Sequence, residues 1–492
     1  MLFSSIEFIF IFLPVFLLIY WLVPAKYANT VLFLGSLFFY AYGEHIYFIL
    51  ILISLLVHYS LTRYSYGKSL RCRRTCLILM LVYGFGTLFI FKYMGFFETN
   101  WNALAAYLAA HNAAVRLPVI SLPVLSLPIG ISFYTFQIAA YAIDVYRGKV
   151  DPEKKFVDLG AFLCMFPQLI AGPIVLYSDV SAQLKVLHRR RWHHVESGLK
   201  IFIIGLSLKV ILANTFGVLW NQVQTWGVSS VSVEMAWLGI LAYTFQIYFD
   251  FQGYSLMAMG LGEILGFRIP RNFRHPYTAV TVTDFWRRWH ITLSSWFKNY
   301  VYIPLGGSRC SKGRMVFNML VVWAFTGIWH GASWNFVLWG LYYFVLLVFE
   351  KLILYPIINR VKKSSEGREG ISAGERAARF FGWLYTFCAV MVGWVIFACS
   401  SLGTAKDYVR RMFCYLYQKE AWMLGRDVLV MTVKQYWLYF LVGAVFCTAA
   451  PFAVYKNNKK HPAMIALLLL LFGVCVYKLN SSASNPFLYF RF

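Results

Sequence analysis

The sequence predicts an all-α polytopic membrane protein, and its composition is the first reason. Hydrophobic residues fill 60% of the 492 positions and charged residues only 13%, with a mean hydropathy of +0.62. A soluble chain would carry roughly 45–50% apolar and about 25% charged residues. Apolar runs of nearly bilayer length also recur along the whole sequence. These features exclude a water-soluble enzyme, a disordered chain and a collagen-like fibre.

The distribution of charge is the third observation that supports a membrane protein. The net charge of +25 comes from 45 Lys and Arg against 20 Asp and Glu, and the cations lie in short loops between apolar runs. Cytoplasmic loops of membrane proteins carry such an excess, so we expect no nucleic-acid partner. Placing every basic cluster in the cytoplasm puts both termini outside. Glu7 and the lack of a small-residue cleavage site favour a retained first helix over a signal peptide.

Twelve stretches are candidate membrane spans, and we expect about 11–13 membrane helices. About 20 mostly apolar residues cross a bilayer, and shorter apolar cores are tolerated. The candidates are 8–23, 31–42, 46–62, 76–91, 128–146, 201–218, 236–249, 318–330, 336–350, 381–399, 436–455 and 462–478.

Two regions do not fit simple spans. Residues 158–178 are apolar but have basic segments on both sides and contain Gly160, Pro167 and Pro173. This pattern predicts a re-entrant or broken helix covered by protein or by a water-filled cavity; an ordinary kinked span is the alternative. Residues 250–316 combine many aromatic and polar residues. We expect amphipathic helices that lie at the inner interface or enter the bundle, with 402–430 as an outer counterpart.

His330 is the first candidate for chemistry, because it lies between two apolar helices in Trp329-His330-Gly331-Ala332-Ser333-Trp334-Asn335. An ionisable residue in a membrane segment is expensive and suggests a functional role. Histidine suits proton transfer near neutral pH. The alternative is a structural histidine that donates to a backbone carbonyl at a helix end.

His290 is the second candidate, within DFWRRWHITLSSW at 284–296. If this segment is one helix, its tryptophans form one stripe and Arg287, His290 and Ser294 form a neighbouring polar stripe. Asp284 can pair with Arg288 or cap the helix start. The stripe of tryptophans is typical of an aromatic belt whose arginines meet lipid headgroups. For His290, which lies beside two arginines, a reaction site or an anionic-donor site is as well supported as this belt. No metal-ligand spacing and no nucleotide-binding or serine-hydrolase motif accompanies either histidine.

The two histidine segments also carry a family resemblance. DFWRRWHITLSSWFKNYVYIPLGGSR (284–309) and GIWHGASWNFVLWG (327–340) resemble the membrane-bound O-acyltransferase (MBOAT) superfamily. Supporting stretches are 132–149, 166–174, 248–277 and 485–492. Within the superfamily, the segment 304–307 and the tail 485–492 resemble the membrane subunits of bacterial alginate O-acetyltransferases. The D-alanyl transferases of teichoic acid share the histidine pair and are the competing branch.

The resemblance implies a fold and a division of the chain. The fold would be a ring of membrane helices around a thinned centre, where a funnel from outside meets a tunnel from the cytoplasm. One integral-membrane domain would cover 1–492, with N-terminal helices in 1–149, a catalytic core in 150–350 and C-terminal helices in 351–492. His330 would be the catalytic histidine and His290 the second, more cytoplasmic one.

The resemblance also implies substrates and partners in the bacterial cell membrane. The donor would be acetyl-CoA or another acetyl thioester, with no tightly bound cofactor and no metal. The expected substrate-binding residues are Asp284, Arg287 and Arg288 in the Arg-rich region, and Trp329, Trp334 and Asn335 near His330. Trp329 and Trp334 would also exclude water. The acceptor would be an extracytoplasmic polysaccharide, reached through a secreted or membrane-anchored SGNH-type acetyltransferase. D-alanyl transfer, an acyl or lipid transporter without covalent chemistry, and a scaffold that only recruits an outer acetyltransferase stay open.

Overall fold

The computed structural model describes residues 2–111, 117–123, 125–170, 172–186, 192–356, 373–414 and 422–481, with the backbone alone for 422–426. Every regular element in these residues is helical, and no β-strand occurs among them. The prediction of an all-α membrane protein is therefore confirmed. The C-terminal motif at 485–492 lies outside the described residues.

The N-terminal helices are α1 (Leu13–Leu22), α2 (Ala28–Gly43), α3 (Phe48–Ser65), α4 (Leu70–His111) and α5 (Ile131–Tyr146). The middle of the chain forms α6 (Phe156–Cys164), α7 (Phe166–Leu169), α8 (Tyr177–Lys185), α9 (Trp192–Ser207), α10 (Asn214–Trp226), α11 (Val233–Ile264), α12 (Val282–Arg288), α13 (Ile291–Phe297), α14 (Lys312–His330) and α15 (Trp334–Phe349). The C-terminal helices are α16 (Ala373–Ala398), α17 (Leu402–Phe413), α18 (Trp422–Phe446), α19 (Ala450–Asn458) and α20 (Pro462–Ser481).

Short segments of other helical types extend these helices. Four π-helical segments occur in the described part of the chain: Phe8–Phe12, Leu208–Ala213, Lys298–Tyr302 and Glu350–Leu354. Two 3₁₀ turns are Ala25–Tyr27 and Pro276–Thr278. The segment Leu208–Ala213 joins α9 and α10 into one continuous helix, because helical backbone continues through both of its ends.

Seven helical stretches of the described chain are long and apolar enough to cross a bilayer. They are Phe48–Ser65, Leu70–His111, Trp192–Trp226, Trp334–Leu354, Ala373–Ala398, Asp427–Phe446 and Pro462–Ser481. The other predicted spans coincide with α1, α2, α5, α11 and α14, which are shorter or more polar. In α11, the longest of these helices, Asp250 and Gln252 are buried against protein. A multi-pass membrane protein follows from these helices.

The predicted span at 436–455 is wrong in its boundaries. The crossing helix ends at Phe446 and its apolar stretch begins at Asp427. Thr448 turns the chain, with its backbone N–H donating to Val445 O (3.0 Å). Pro451 then starts α19, at a first-turn position where its missing N–H is not needed. Part of the expected outer segment 402–430 therefore belongs to the membrane helix, and residues 415–421 lie outside the described chain.

The broken helix predicted at 158–178 is confirmed, and the alternative of a kinked span is not. Helix α6 ends at Cys164, α7 makes one turn over Phe166–Leu169, and residues 173–176 have no regular secondary structure. This stretch is buried, so its backbone needs partners inside the protein. Ser36 Oγ accepts from Phe166 N (3.1 Å), and Thr292 Oγ1 accepts from Ile174 N (2.9 Å). The second bond ties the broken helix to α13.

Helices α9 and α11 pack closely because both have glycines where they meet. A Cβ added to Gly205 would lie 2.5 Å from Gly253 O, and one added to Gly198 would lie 2.5 Å from Gly260 O. Small residues at such positions let membrane helices pack backbone to backbone. Lys209 and Asp250 form an ion pair of 2.7 Å at this contact, with both side chains 3% exposed. One face of α11 then places Phe251 against the ring of His290.

Candidate active site

His330 is the last residue of α14 and lies among aromatic rings. Its ring centroid is 4.9 Å from Trp329, 4.9 Å from Trp339 and 5.2 Å from Phe397, and the residue is 7% exposed. The helix ends here because Gly331 takes an extended backbone, and a Cβ at Gly331 would overlap the ring of Phe336. The position at a helix end between apolar helices is the one that the sequence predicts.

Helices α14 and α15 form a tight hairpin around this end. Added Cβ atoms at Gly327 and Gly340 would overlap backbone carbonyls of the facing helix, Phe336 O and Trp323 O. The two helices therefore touch through backbone, and Trp339 of α15 comes directly against the imidazole of His330. Close helix packing is what holds this part of the site.

His290 lies between two short helices, where the sequence alone suggests one. Helix α12 ends at Arg288, His290 adopts a left-handed backbone (φ 44°, ψ 52°), and α13 starts at Ile291. Such a conformation is uncommon for a residue other than glycine. The proposed single stripe of tryptophans is therefore wrong. Trp286, Trp289 and Trp296 are all buried, which favours helices that enter the bundle over an aromatic belt.

A polar network built on Asn272 holds His290 in this conformation. Asn272 Oδ1 accepts from Thr292 N (3.2 Å) and Thr292 Oγ1 (2.9 Å), and it lies 3.1 Å from His290 Nδ1. Ile291 N also donates to Asn272 O (2.9 Å). Because Oδ1 is the acceptor in this network, Nδ1 carries the proton and Nε2 keeps a lone pair. Nε2 has no hydrogen-bond partner among the described residues.

One cavity of about 690 Å³ contains both histidines in its wall. Indole rings of Trp286 and Trp323 form part of the same wall, next to hydroxyl groups of Thr283, Ser294 and Thr326. Three cations also line it: Arg287, Lys298 and Lys351. This volume is in the range of small-molecule and cofactor sites, which are mostly apolar with a few convergent polar groups. The structure thus brings together His290, His330 and Arg287 from the predicted set.

A second, apolar groove of about 820 Å³ lies on the other side of Trp329. It is lined mainly by aromatic side chains of α4 and α14, and also by Gly331, Ala332 and Trp334. Trp334 is half exposed, and its Nε1 donates to Asn100 Oδ1 (2.9 Å). Trp329 and His330 are consecutive, so this short stretch of backbone separates the cavity from the groove.

Three further predicted residues contact protein groups. Asp284 and Arg288 form the expected i,i+4 ion pair (2.7 Å), with about a third of each side chain exposed. The helix cap is Thr281, whose Oγ1 accepts from Asp284 N (3.0 Å). Asn335 donates from Nδ2 to the backbone carbonyl of Cys399. The proposed substrate-binding roles of these three residues stay predictions.

Two charged residues that contact α12 and α14, the helices next to the two histidines, were not predicted from the sequence. Glu350 is fully buried and accepts from Val282 N (2.6 Å), Thr283 N (2.7 Å) and Thr283 Oγ1 (2.6 Å), so its carboxylate anchors the start of α12. Lys92 of α4 donates to Trp329 O (2.5 Å), at the end of α14. A charged residue inside or beside an apolar run was the available signal for both. Their partners are distant in sequence and could not be read from it.

The described residues contain no group of three or more His, Cys, Asp or Glu side chains that could hold a metal ion. The expectation that the chemistry needs no metal stays a prediction. The chemically active groups in the cavity wall are two imidazoles, three cations and several hydroxyls.

Comparison with known proteins identifies the class to which this fold and site belong. The family model of the membrane-bound O-acyltransferases matches residues 150–393. The chain belongs to this family, and it is an O-acyltransferase with multiple membrane passes.

Full-length relatives carry more specific names. The chain is 33% identical to a probable alginate O-acetylase of Azotobacter vinelandii, with 100% of both chains covered. It is 31% identical to a peptidoglycan O-acetyltransferase of Helicobacter pylori, covering 100% of this chain and 98% of the relative. A teichoic acid D-alanyltransferase of Streptococcus thermophilus is 26% identical over 63% of this chain and 79% of the relative.

Proposed function

We propose that this chain moves an acetyl group from a cytoplasmic thioester donor to a hydroxyl acceptor, as a step in the O-acetylation of an extracytoplasmic polysaccharide. The observation that carries the proposal is the single cavity whose wall contains both His290 and His330. The relatives that match over full length are named for O-acetylation of alginate and of peptidoglycan. The D-alanyltransferase matches a smaller share of the chain.

The donor is acetyl-CoA or another acetyl thioester, and the cations of the cavity support an anionic donor. Arg287, Lys298 and Lys351 would attract its phosphates by positive potential. The same end of the bundle carries other basic residues: Arg73 donates to Tyr146 O (2.6 Å) and Arg147 to Asn299 O (3.3 Å). Since cytoplasmic loops are rich in Lys and Arg, this end faces the cytoplasm. Both termini are then extracytoplasmic in the cell membrane.

The reaction is a direct acyl transfer assisted by the imidazoles. His330 accepts the proton of the acceptor hydroxyl while the oxygen attacks the thioester carbonyl. A C–O bond forms, the C–S bond breaks, and the proton passes to the departing thiolate. His290 Nε2, with its lone pair fixed by Asn272, is available for proton transfer or for a hydrogen bond to the donor. The surrounding indole and phenyl rings limit the access of water and so limit hydrolysis.

The acceptor is proposed as a serine of an SGNH-type acetyltransferase outside the membrane, which then acetylates the polysaccharide. Alginate, peptidoglycan and other exopolysaccharides are the candidate final acceptors. Two observations support an approach of the acceptor to His330 from the extracytoplasmic side. The residue lies at the end of α14 away from Lys312, and the chain turns directly after it through 331–333.

The deciding experiment uses the full-length protein purified in nanodiscs. Acetyl-labelled acetyl-CoA is supplied with a candidate SGNH partner and with alginate or peptidoglycan fragments, and covalent label on each acceptor is measured. The proposal requires label transfer that depends on the membrane protein. His45 is exposed, so the control variant His45→Ala should transfer label at the wild-type rate.

Two other functions predict different results in this experiment. A transporter would move substrate without forming a covalent acetyl ester and would tolerate His330→Gln. A scaffold would tolerate loss of both histidines and would need the part of 402–430 that precedes the membrane span at Asp427. Either pattern overturns the proposed acyl transfer.

A further inference from the structure

Lys92 lies within a membrane-crossing helix and contacts the end of α14. It belongs to the stretch Leu70–His111, which is apolar enough to span a bilayer. Its Nζ donates to Trp329 O (2.5 Å) and to Ser132 Oγ (3.3 Å), and lies 5.8 Å from the centre of the Trp329 ring. An ionisable residue in such a segment is by default a candidate for function. Three helices, α4, α5 and α14, meet at this ammonium group.

The bond to Trp329 satisfies one of the carbonyls that every helix leaves unpaired at its C-terminus. The negative end of the helix dipole also favours a cation at this place. Tyr93, the next residue of α4, donates from its hydroxyl to Ile328 O (2.9 Å). Two consecutive side chains of α4 therefore hold the two carbonyls that precede His330 in α14.

The position of these bonds matters because Trp329 and His330 face different spaces. His330 lines the cavity that also contains His290, whereas Trp329 lines the apolar groove. A small rotation of the backbone at the end of α14 would turn His330 away from the cavity. Lys92 lines neither space, and its hydrogen bond reaches α14 at Trp329 O, one residue before His330.

We propose that Lys92 is a positioning residue for His330: its ammonium group fixes the carbonyl end of α14 and thereby the direction of the imidazole in the cavity. This inference rests on the proposed function of His330. It assigns Lys92 no contact with donor or acceptor, which separates it from the cations in the cavity wall.

The kinetic test compares Lys92→Met, Lys92→Arg and Tyr93→Phe in nanodiscs. Lys92→Met should lower kcat for acetyl transfer about 10–100-fold, the loss expected when a catalytic group is displaced by about 1 Å. The KM for the donor should stay within about twofold, because Lys92 does not line the donor cavity. Lys92→Arg keeps a charged donor and should recover most of kcat. Tyr93→Phe removes the neighbouring hydrogen bond to Ile328 O, one residue further from His330, and should lower kcat less than Lys92→Met.

A second readout does not depend on activity. Diethyl pyrocarbonate labels accessible imidazoles, and the rate at His330 can be measured by peptide mass spectrometry. Lys92→Met should change the labelling rate at His330 at least about threefold, which corresponds to a free-energy change near RT. The rate at His45, an exposed imidazole between α2 and α3, serves as the internal reference. If Lys92→Met does not fold, Lys92→Gln, which is neutral and one bond shorter, replaces it with the same expected outcomes.

Two results would overturn the inference. One is a kcat of Lys92→Met within twofold of the wild-type value, which corresponds to a difference in activation free energy of about 0.4 kcal/mol. The other is an unchanged labelling rate at His330. Absence of acetyl transfer in the wild type would instead refute the proposed function. The labelling rates would still decide whether Lys92 positions His330.

Discussion

The two histidines of the cavity are held in opposite ways. The segment 272–297 fixes His290 with hydrogen bonds that Asn272 accepts and with a left-handed backbone between two short helices. The α14–α15 hairpin holds His330 with aromatic rings and with backbone contact between long helices. A polar network sets which nitrogen of an imidazole carries the proton, whereas aromatic packing sets its position and keeps water away.

This difference gives the two regions different sensitivities to substitution. In the 272–297 segment, removing one acceptor leaves several buried donors unpaired, so both folding and function should suffer. In the hairpin, replacing the imidazole by a smaller side chain leaves the long helices packed, so function should suffer more than folding. The following substitutions test that contrast.

The largest effect is expected for His330→Ala. General-base assistance contributes about 10²–10⁴-fold, so acetyl transfer should fall by that factor. Expression and thermal unfolding should stay close to wild type, since α14 and α15 still touch through Gly327 and Gly340. Label transfer from acetyl-CoA measures the first effect, with His45→Ala as the control. Near-normal acetylation would remove His330 from the mechanism.

Compared with His330→Ala, Asn272→Leu should lose less activity and more stability. The substitution removes the acceptor of His290 Nδ1 and Thr292, and each buried unpaired donor costs about 1–3 kcal/mol. Activity should fall at least about tenfold, equivalent to 1.4 kcal/mol. Asn272→Asp keeps an acceptor oxygen and should retain more of both. Full activity and stability in Asn272→Leu would contradict the role of the network.

Arg287→Gln should act on donor binding alone. Loss of one cation from the cavity wall should raise the KM for acetyl-CoA about 5–10-fold, roughly 1–1.4 kcal/mol, with kcat little changed. The matched control is Arg288→Gln, because the neighbouring Arg288 pairs with Asp284 and does not line the cavity. Initial rates at several donor concentrations measure both constants. Equal KM values for the two variants would argue against a donor site at Arg287.

The smallest effect is expected for Asp284→Asn. Its ion pair with Arg288 spans one helical turn and is partly exposed, so its loss should cost about 0–1 kcal/mol. Acetyl transfer should stay within about twofold of wild type. Thermal unfolding in nanodiscs checks the first value. A large loss of activity would return Asp284 to the substrate-binding residues.

The sequence predicted the helical class, the broken helix at 158–178 and both histidine segments, because these depend on local composition. It did not predict the break at His290, since the helical pattern of 284–296 is overridden by the bonds from Asn272, 18 residues earlier. It placed the span at 436–455 too late, because the apolar run continues past the turn at Thr448. The contacts of Lys92 join residues 237 positions apart and have no local signal.

The long helix α4 also provides a measure of depth. About 33 Å separates Leu70 from Lys92 along its axis, at 1.5 Å per residue, which is close to the thickness of the hydrocarbon layer. The basic start of α4, at 71–74, and the Lys92–Trp329 bond therefore lie about one hydrocarbon thickness apart along this helix. Under the proposed function, a hydrophilic acceptor would then meet the imidazole near the outer surface of the membrane, and the glycan or its carrier would not have to enter the lipid. Only the acetyl group, small and uncharged, would have to cross.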